Sequence, residues 1–317
     1  MKTYSEAPAL QRYSLNGATM GTRYTAVFYG PDTVDTAAIG ASLFAAVHQV
    51  DRQMSTWDRA SDLCRVNAAP AGSWIDIPDQ LAEVLEAGIQ LGLESHGAFD
   101  IGLGELVDAW GFGPPAPGLP LPSALAGGQY TPASEKLEID RARGLVRKRG
   151  RLRLDLSGIA KGYGVDQLAH CLDRWGVTRY LVGIDGEMRA RGAKPGGDPW
   201  TVAVEKPAYG VREVAGVMEL RDTAIATSGD YRRWIEVAGQ RYGHTMHPAL
   251  QQPVLNRLAA VTVLAPTCML ADAWATALLV MGEDDGVNQA RERGMDVLFV
   301  LRDGARLAEI ATGALAG

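Results

Sequence analysis

The sequence predicts an α+β fold in which mixed or antiparallel sheets are flanked by helices. Strand-like and helix-like segments are interspersed without the strict strand–helix–strand alternation that gives a doubly wound parallel sheet. Five strand-like segments follow one another between residues 180 and 239. No repeat of fixed period is present, which argues against a solenoid or a propeller. A Rossmann fold is therefore not expected. The length of 317 residues suffices for one large domain or two smaller ones.

The first half of the chain alternates predicted strands and helices. Residues 12–29 alternate loosely between apolar and polar side chains and end in an apolar strand. Residues 34–54 carry apolar side chains at helical spacing, and residues 78–95 predict a second helix that begins at a Pro-Asp pair. Residues 111–130 are rich in Gly and Pro and predict a loop. Residues 134–154 predict two short strands.

The second half begins with a predicted helix over residues 157–175, which Gly176 ends. Two more helices are expected over residues 268–281 and 285–294. Strands are expected over residues 180–184, 200–205, 214–221, 224–228, 232–239, 259–265 and 297–302.

Charge and composition restrict the possible functions. The formal net charge of −6 argues against a protein that binds nucleic acid by general phosphate neutralisation. The three cysteines lie far apart without a CxxC spacing, so no zinc or redox motif is predicted. The N-terminal segment lacks the apolar run of a signal peptide, and the apolar-rich stretch at residues 271–281 is too short to span a bilayer. We expect residues 1–11 to form a flexible segment.

Asp272 and Thr276 are four residues apart in a predicted helix and therefore share one face. A carboxylate and a hydroxyl one turn apart suit a hard cation that prefers oxygen ligands. The alternative is an acid that complements the helix dipole in the first turn, with Thr276 packed through its methyl group.

Residues 155–164, D-L-S-G-I-A-K-G-Y-G, run from a predicted strand through a turn of small residues into a helix. Ser157 and Gly158 stand where free N–H groups of a helix N-terminus can bind a phosphate, and Lys161 follows one turn later. The segment is neither a P-loop nor a GxGxxG fingerprint. A capped helix with a solvent-exposed lysine is the alternative.

Three further polar or aromatic segments are candidates for binding. Residues 227–233 predict either a β-turn or an anion-binding loop. His244 and His247 could bind a metal together; His244 could equally be a general base, a contact for a bound ligand or a loop histidine without a special role. Aromatic side chains at residues 54–58 and 97–113 could stack on a planar ring or pack in the core.

Read in order, these segments resemble the ApbE family, the FAD:protein FMN transferases, from about residue 14 to about residue 300. The resemblance rests on six blocks in the family's order. They are A-T-M-G-T-R-Y, M-S-T-W-D-R-A-S-D-L-C-R-V-N, G-A-F-D-I-G-L-G-E-L-V-D-A-W-G-F-G, D-L-S-G-I-A-K-G-Y-G-V-D, A-T-S-G-D-Y and A-P-T-C-M-L-A-D-A-W-A-T-A-L. The resemblance implies an ApbE-like, T-fold-like architecture. We expect a single unit over residues 1–317, with two closely packed α/β subdomains and the FAD site between them.

The resemblance also implies the roles of individual residues. Trp57 is expected to stack on the isoalloxazine ring. The base that deprotonates the acceptor is expected to be His244, because the ordinary pKa of histidine is near neutral, with Asp155 or Asp230 as alternatives. Lys161 is expected to stabilise charge on the pyrophosphate. The implied FAD contacts are Met20, Trp57, Ala98, Phe99, Asp100, Asp155 and Lys161, and the implied Mg²⁺ ligands are the Gly158 carbonyl, Asp272 and Thr276.

The reaction implied by the resemblance is a Mg²⁺-dependent cleavage of the FAD pyrophosphate. FMN passes to a threonine or serine hydroxyl in the flavinylation motif of an acceptor flavoprotein, and AMP leaves. The alternatives are a Mg²⁺-dependent FAD pyrophosphatase and a non-catalytic FAD carrier. Because the family commonly acts in the bacterial periplasm, we expect a periplasmic protein without its export signal, with a cytoplasmic protein as the alternative.

The chain departs from the family pattern in three places. His247 replaces an acidic or amide residue, and the Arg/Lys-Thr-Gly that normally follows the proline is missing after Pro248. Residues 183–186 read G-I-D-G instead of N-I-G-G, and Glu105 stands where proline is common. We expect the changes at residues 183–187 and 244–250 to affect acceptor selection or rate more than FAD binding.

Overall fold

The computed structural model describes residues 10–115, 130–210, 213–304 and 306–317. The predicted loop at residues 111–130 lies mostly outside the described residues, as do residues 1–9 of the predicted flexible segment. Gln11, which that segment included, is instead the first residue of a strand. Within the described ranges, no helix has the length and apolar character needed to cross a membrane.

Among the described residues, the largest sheet has eight strands. In chain order these are β1 (Gln11–Thr19), β2 (Thr22–Gly30), β6 (Tyr180–Ile184), β7 (Glu187–Arg191), β10 (Ala224–Gly229), β15 (Leu258–Ala265), β16 (Asp296–Asp303) and β17 (Arg306–Thr312). They lie side by side in this same order, and each neighbouring pair is antiparallel. The predicted α+β class is confirmed, and the sheet differs from the parallel sheet of a Rossmann fold.

Smaller sheets and helices surround the large sheet. The small antiparallel sheets are β3 (Trp74–Asp76), β4 (Leu137–Asp140) and β5 (Leu145–Lys148) in the order β3-β5-β4; β8 (Trp200–Glu205) with β9 (Val214–Leu220); β11 (Trp234–Val237) with β12 (Gln240–Gly243); and β13 (Met246–His247) with β14 (Gln252–Pro253). The helices are α1 (Thr36–Met54), α2 (Asp62–Ala68), α3 (Asp79–Glu94), α4 (Gly104–Ala109), α5 (Ala133–Lys136), α6 (Ala160–Arg174) and α7 (Cys268–Glu292), and a 3₁₀ turn covers Gly313–Ala316. Gly282 breaks α7 with a φ of 83°, close to the boundary predicted between two helices.

Residues 12–29 form a hairpin instead of the single strand predicted. β1 and β2 pair up to Thr19 and Thr22, and Met20 and Gly21 form the two-residue turn with φ values of 46° and 70°. Such turns need positive φ at both central positions, which methionine rarely adopts. The sequence therefore carries no turn signal at Met20, and the structure places a strained residue at a position with an expected function.

Helix α6 contributes to both large hydrophobic cores. Its first turn, with Ala160 and Tyr163, packs in the core that holds α3 and α7. Its later residues Val165, Leu168 and Leu172 pack in the core that holds α1, β2 and β6. The N-terminus of α6, where phosphate binding was predicted, is therefore held between the two cores. The predicted division into two subdomains stays a prediction.

Gly162 allows α6 and α7 to approach closely. A Cβ atom at this position would lie 2.3 Å from the carbonyl oxygen of Cys268 and 2.8 Å from the Cβ atom of Asp272. The Gly162 N–H donates a hydrogen bond of 2.9 Å to Asp272 Oδ2. Because a backbone carbonyl cannot rotate aside as a side chain can, a larger residue must push the two helices apart.

Gly162→Ala is expected to lower the free energy of unfolding by about 1–2 kcal/mol in urea titrations. Extra atoms in a packed interior usually cost about 1–3 kcal/mol, and the helix propensity of alanine returns at most about 1 kcal/mol. Gly40→Ala in α1 is the matched control, because its Cβ would meet only Leu15 Cδ1 at 3.8 Å. That variant should be as stable as the wild type or more so. Equal stability of Gly162→Ala and Gly40→Ala would contradict the close-packing argument.

Candidate active site at the N-terminus of helix α6

The predicted metal ligands are close together at the contact between α6 and α7. Asp272 is 5% exposed and is held by the Gly162 N–H, while Thr276 follows one turn later on the same helix. A Cβ atom on Gly158 would lie 3.3 Å from Thr276 Oγ1, which places the turn before α6 beside this hydroxyl. Ser228, from the end of β10, contacts the same hydroxyl at 2.9 Å.

These oxygens fit a magnesium ion. Mg²⁺ is usually bound by one or two carboxylates together with substrate phosphates and water. In the described part of the chain, no group of three or more His, Cys, Asp or Glu side chains could hold a metal, so the fit rests on one carboxylate with neutral oxygens. Burial, and after it Glu187, raise the pKa of Asp272 to about 7 against the opposing effect of Lys161. A cation here would compensate this poorly solvated carboxylate.

Lys161 lies in the first turn of α6 and is paired with a residue that sequence reasoning missed. Its Nζ is 2.5 Å from Oε1 of Glu187, whose side chain is only 3% exposed. Burial by itself would lower the pKa of Lys161, but Glu187 and Asp272 outweigh it and keep the pKa above its ordinary value. The lysine is therefore charged and paired with Glu187, and its side chain is 31% exposed, so it is only partly solvated.

Lys161→Met is expected to lower the free energy of unfolding by about 2–4 kcal/mol in EDTA, because it leaves Glu187 and Asp272 as two buried carboxylates without their cation. Adding Glu187→Gln to this variant should restore most of the loss, since it removes one of those charges. The measurement is urea unfolding of the wild type, both single variants and the double variant. If the two losses simply add, the pair does not act as a unit.

Asp155 holds the turn that precedes α6. Its Oδ1 accepts a hydrogen bond from Ser157 N at 2.8 Å and a second one from Ser157 Oγ at 2.5 Å. Its own N–H donates to the carbonyl of Ile101, which ties this turn to the predicted FAD-contacting segment. Asn67 binds both backbone groups of the preceding Leu154. One carboxylate oxygen of Asp155 is therefore already occupied, and so is the Ser157 N–H that was predicted to be free for a phosphate. The role of Asp155 as a base stays a prediction.

The predicted contacts Ala98, Phe99 and Asp100 lie beside the turn at Gly158. A Cβ atom on Gly158 would lie 3.2 Å from Phe99 Cε2, so the Phe99 ring covers that turn. The carboxylate of Asp100 accepts hydrogen bonds from Tyr130 Oη and from the N–H groups of Gly102 and Ala133. A cavity of about 290 Å³ opens next to Phe99 and Asp100. The side chain of Asp100 thus organises its own loop, and its contact with FAD stays a prediction.

Met20 and Trp57 have contrasting surroundings. The Met20 side chain lies against α6, where a Cβ on Gly164 would be 3.2 Å from Met20 Cε. Trp57 follows the C-terminus of α1 and is 56% exposed. An exposed indole of this kind is available for a planar ring. Stacking of flavin on Trp57 stays a prediction.

His244 is held in one orientation. Its Nδ1 lies 3.3 Å from the carbonyl oxygen of Arg233, and the Phe112 ring contacts it edge-on. Burial first, and then the charge of Arg233, lower the pKa of His244 to about 4, and Lys161 and Arg232 act in the same direction. The imidazole is therefore neutral near pH 7, with its hydrogen on Nδ1 and a free lone pair on Nε2.

The structure restricts three of the predictions for the polar segments. Residues 224–229 form β10, which confirms the strand predicted over residues 224–228 and limits the predicted turn or anion-binding loop to residues 230–233. Asp230 accepts from Tyr209 Oη at 2.8 Å and pairs with Arg302 at 2.7 Å, which leaves it poorly suited to act as a base. His247 Nδ1 accepts from the N–H of Leu250, so it faces its own turn.

Asp185, one of the departures in residues 183–186, has a φ of 56° and pairs with Arg232 at 3.1 Å. Aspartate tolerates this left-handed conformation better than most residues. Arg232 also binds Glu205 at 2.9 Å, and its guanidinium would lie 3.0 Å from a Cβ on Gly186. The aspartate at position 185 therefore gives Arg232 a second carboxylate partner, close to Glu187.

The chain is similar to known proteins over most of its length. A model of the ApbE family matches residues 20–299. The FAD:protein FMN transferase of Vibrio cholerae serotype O1 is 37% identical over 310 residues, which cover 97% of this chain and 92% of the relative. That of Haemophilus influenzae is 37% identical over 298 residues, 91% of this chain and 86% of the relative.

Solved structures show the same fold. The flavin transferase ApbE from Vibrio cholerae superposes with a TM-score of 0.83 at 34% identity, over 97% of this chain and 99% of that one. The apo form of the Pseudomonas stutzeri flavinyl transferase ApbE gives a TM-score of 0.82 at 36% identity, over 96% and 95%. The match in sequence and in structure extends over nearly the whole chain, and the chain therefore belongs to the ApbE family.

Proposed function

We propose that this chain is an FAD:protein FMN transferase that uses Mg²⁺. The observation that carries the proposal is the convergence of Asp272, Thr276 and Lys161 at the N-terminus of α6, beside Gly158. A helix N-terminus with a fixed lysine and a cation site is suited to a pyrophosphate. The relatives that this chain resembles over almost its entire length are named for the same activity.

The proposed reaction is a phosphoryl transfer. The hydroxyl oxygen of an acceptor threonine or serine attacks the FMN-side phosphorus of FAD, the phosphoanhydride bond breaks, and AMP leaves with the bridging oxygen. His244 Nε2 takes the hydroxyl proton. Such a transfer needs mainly alignment and stabilisation of charge on the phosphoryl oxygens. Asp272, Thr276 and the Gly158 carbonyl would hold Mg²⁺, which when bound would neutralise part of the charge on the phosphoryl oxygens.

Other residues of this chain stabilise the pyrophosphate, hold the turn before α6 and contact the rest of FAD. Lys161, fixed by Glu187, supplies a positive charge at the pyrophosphate. Asp155 and Asn67 hold the turn that precedes α6 and carries Gly158. Trp57, Met20 and the 98–100 segment are the proposed contacts for the rest of FAD.

We also propose that the protein acts in the periplasm, where the family commonly works. Fractionation of cells that express the full gene would test the compartment.

The test is to incubate the protein with FAD and Mg²⁺, with and without a candidate acceptor domain, and to follow AMP and protein-bound flavin together. A transferase releases AMP in step with covalent flavin, and EDTA abolishes both. AMP and free FMN that form equally without the acceptor would identify a pyrophosphatase. Bound but intact FAD, with a set of acceptor domains from related flavoproteins, would contradict the proposal and favour a carrier.

A further inference from the structure

We infer that Ser228 is a positioning residue that orients the hydroxyl of Thr276 towards the cation and so sets the affinity for Mg²⁺. The inference rests on the proposed magnesium site and goes beyond its three expected ligands. Its basis is the hydrogen bond of 2.9 Å between Ser228 Oγ and Thr276 Oγ1. The two atoms could exchange the roles of donor and acceptor, and a bound cation removes that freedom.

A threonine hydroxyl has one hydrogen and two lone pairs. When a cation binds the oxygen, a lone pair must face the cation and the hydrogen must point elsewhere. In the described structure, the side-chain partner found for Thr276 Oγ1 is Ser228 Oγ. Ser228 is therefore the acceptor that holds the Thr276 hydrogen away from the cation.

The backbone around Ser228 makes this orientation rigid. Ser228 lies in β10 opposite Val261 of β15, in the interior of the large sheet. Thr276 lies on α7, which packs on the same sheet and carries the buried Asp272. Without the serine, the Thr276 hydroxyl is free to turn back to a carbonyl of its own helix, which is a common choice for threonine in helices. A ligand that must first be reoriented binds its cation more weakly.

The chain contains a matched control one residue away. Thr227 Oγ1 and Thr262 Oγ1 form another hydroxyl pair, at 2.8 Å, between β10 and β15. Successive residues of a strand point to opposite faces, so this pair lies on the other side of the sheet from Thr276. Thr227→Val removes one hydroxyl from such a pair just as Ser228→Ala does, without touching a proposed ligand.

The experiment measures cation binding directly. Metal-free wild type, Ser228→Ala and Thr227→Val are titrated with Mn²⁺ and followed by electron paramagnetic resonance, and the Mg²⁺ concentration for half-maximal AMP release is measured in parallel. Ser228→Ala is expected to weaken both by about 10-fold or more, as when the partner of a metal ligand is removed. Its rate at saturating Mg²⁺ should approach that of the wild type. Thr227→Val should match the wild type throughout.

The outcomes separate this inference from the proposed function. Wild-type affinity in Ser228→Ala, or equal weakening in Thr227→Val, would overturn the role of Ser228 even if the enzyme is Mg²⁺-dependent. A rate of Ser228→Ala that stays low at saturating Mg²⁺ would also overturn it, because the serine would then act on the reaction itself. A wild type that neither binds Mn²⁺ nor needs Mg²⁺ would instead refute the proposed metal site.

Discussion

Asp272→Asn is expected to reduce AMP release from FAD by about 10³-fold at saturating Mg²⁺, while the metal-free protein stays at least as stable as the wild type. A metal ion contributes several kcal/mol to the stabilisation of a charged transition state, and each 1.4 kcal/mol is a factor of about 10 in rate. Asparagine keeps an oxygen for the Gly162 N–H bond but loses the negative charge. Rates at high Mg²⁺ and melting temperatures in EDTA at pH 8 are the measurements.

The stability half of this prediction follows from the charges around the site. In the wild type, Lys161 faces both Glu187 and Asp272, so one buried negative charge is in excess when no metal is bound. Asp272→Asn removes that excess and leaves Lys161 paired with Glu187 alone. Replacing a residue that serves a function at the expense of stability commonly makes the protein more stable.

Asp166 is the natural control because it is also a buried aspartate at the contact of α6 and α7. It pairs with Arg189 at 2.6 Å and accepts hydrogen bonds from the N–H groups of Cys268 and Met269 at the start of α7. Asp166→Asn should therefore lower the melting temperature but preserve the dependence on Mg²⁺. If Asp272→Asn is the less stable of the two variants, its carboxylate is a structural group and the metal assignment loses its support.

The part of the site that the sequence predicted is the part that depends on local spacing. Asp272 and Thr276 share a helical face because they are four residues apart, and Ser157 and Lys161 lie at the start of a helix for the same kind of reason. Glu187 was missed because it lies 26 residues from Lys161 along the chain, with β6 between α6 and β7. A signal existed in principle: an acidic residue directly after a turn, at the start of an unrecognised strand.

The fold shows the same division between local and non-local information. The helices at residues 34–54, 78–95 and 157–175 were predicted within a few residues because apolar periodicity fixes them. β7, β12 and β17, each of which pairs with a neighbouring strand in a hairpin, were missed, although the Asp-Gly pair at residues 185–186 is a recognised signal for the turn between β6 and β7. Ser228 was placed both at the end of a predicted strand and at the start of a predicted turn, and its pairing with β15 keeps it in the strand. Composition suggests a turn, but a neighbouring strand determines the outcome.

His244→Ala is expected to lower the rate of FMN transfer by about 10²–10⁴-fold, the usual contribution of a positioned general base. The Arg233 carbonyl fixes the hydrogen on Nδ1, so Nε2 is the nitrogen that can accept the proton of the acceptor hydroxyl. The rate of covalent flavin formation at saturating FAD and Mg²⁺ is the measurement. His247→Asn is the control: it restores a residue type usual in the family and keeps an acceptor for the Leu250 N–H, so it should retain most of the activity.

The pH dependence gives an independent test of the same residue. A base works only when deprotonated, so activity falls as the pH drops through its pKa. Because the pKa of His244 is lowered to about 4, the acid limb of kcat/KM at saturating Mg²⁺ should lie well below the value of 6.5 typical of histidine. Burial and the positive charges of Arg233, Lys161 and Arg232 cause this shift. An anionic pyrophosphate bound near these cations would offset their effect.

The acid limb of kcat should therefore lie at higher pH than that of kcat/KM, because kcat reports the pKa of the substrate complex and kcat/KM that of the free enzyme. In His244→Ala this acid limb should disappear from both profiles. Any loss of activity at low pH that remains should depend on the Mg²⁺ concentration, because it then arises from the metal site. If the acid limb of kcat persists unchanged in His244→Ala, the proton is taken by another group. Asp155, which already accepts two hydrogen bonds from Ser157, is then the carboxylate to replace next.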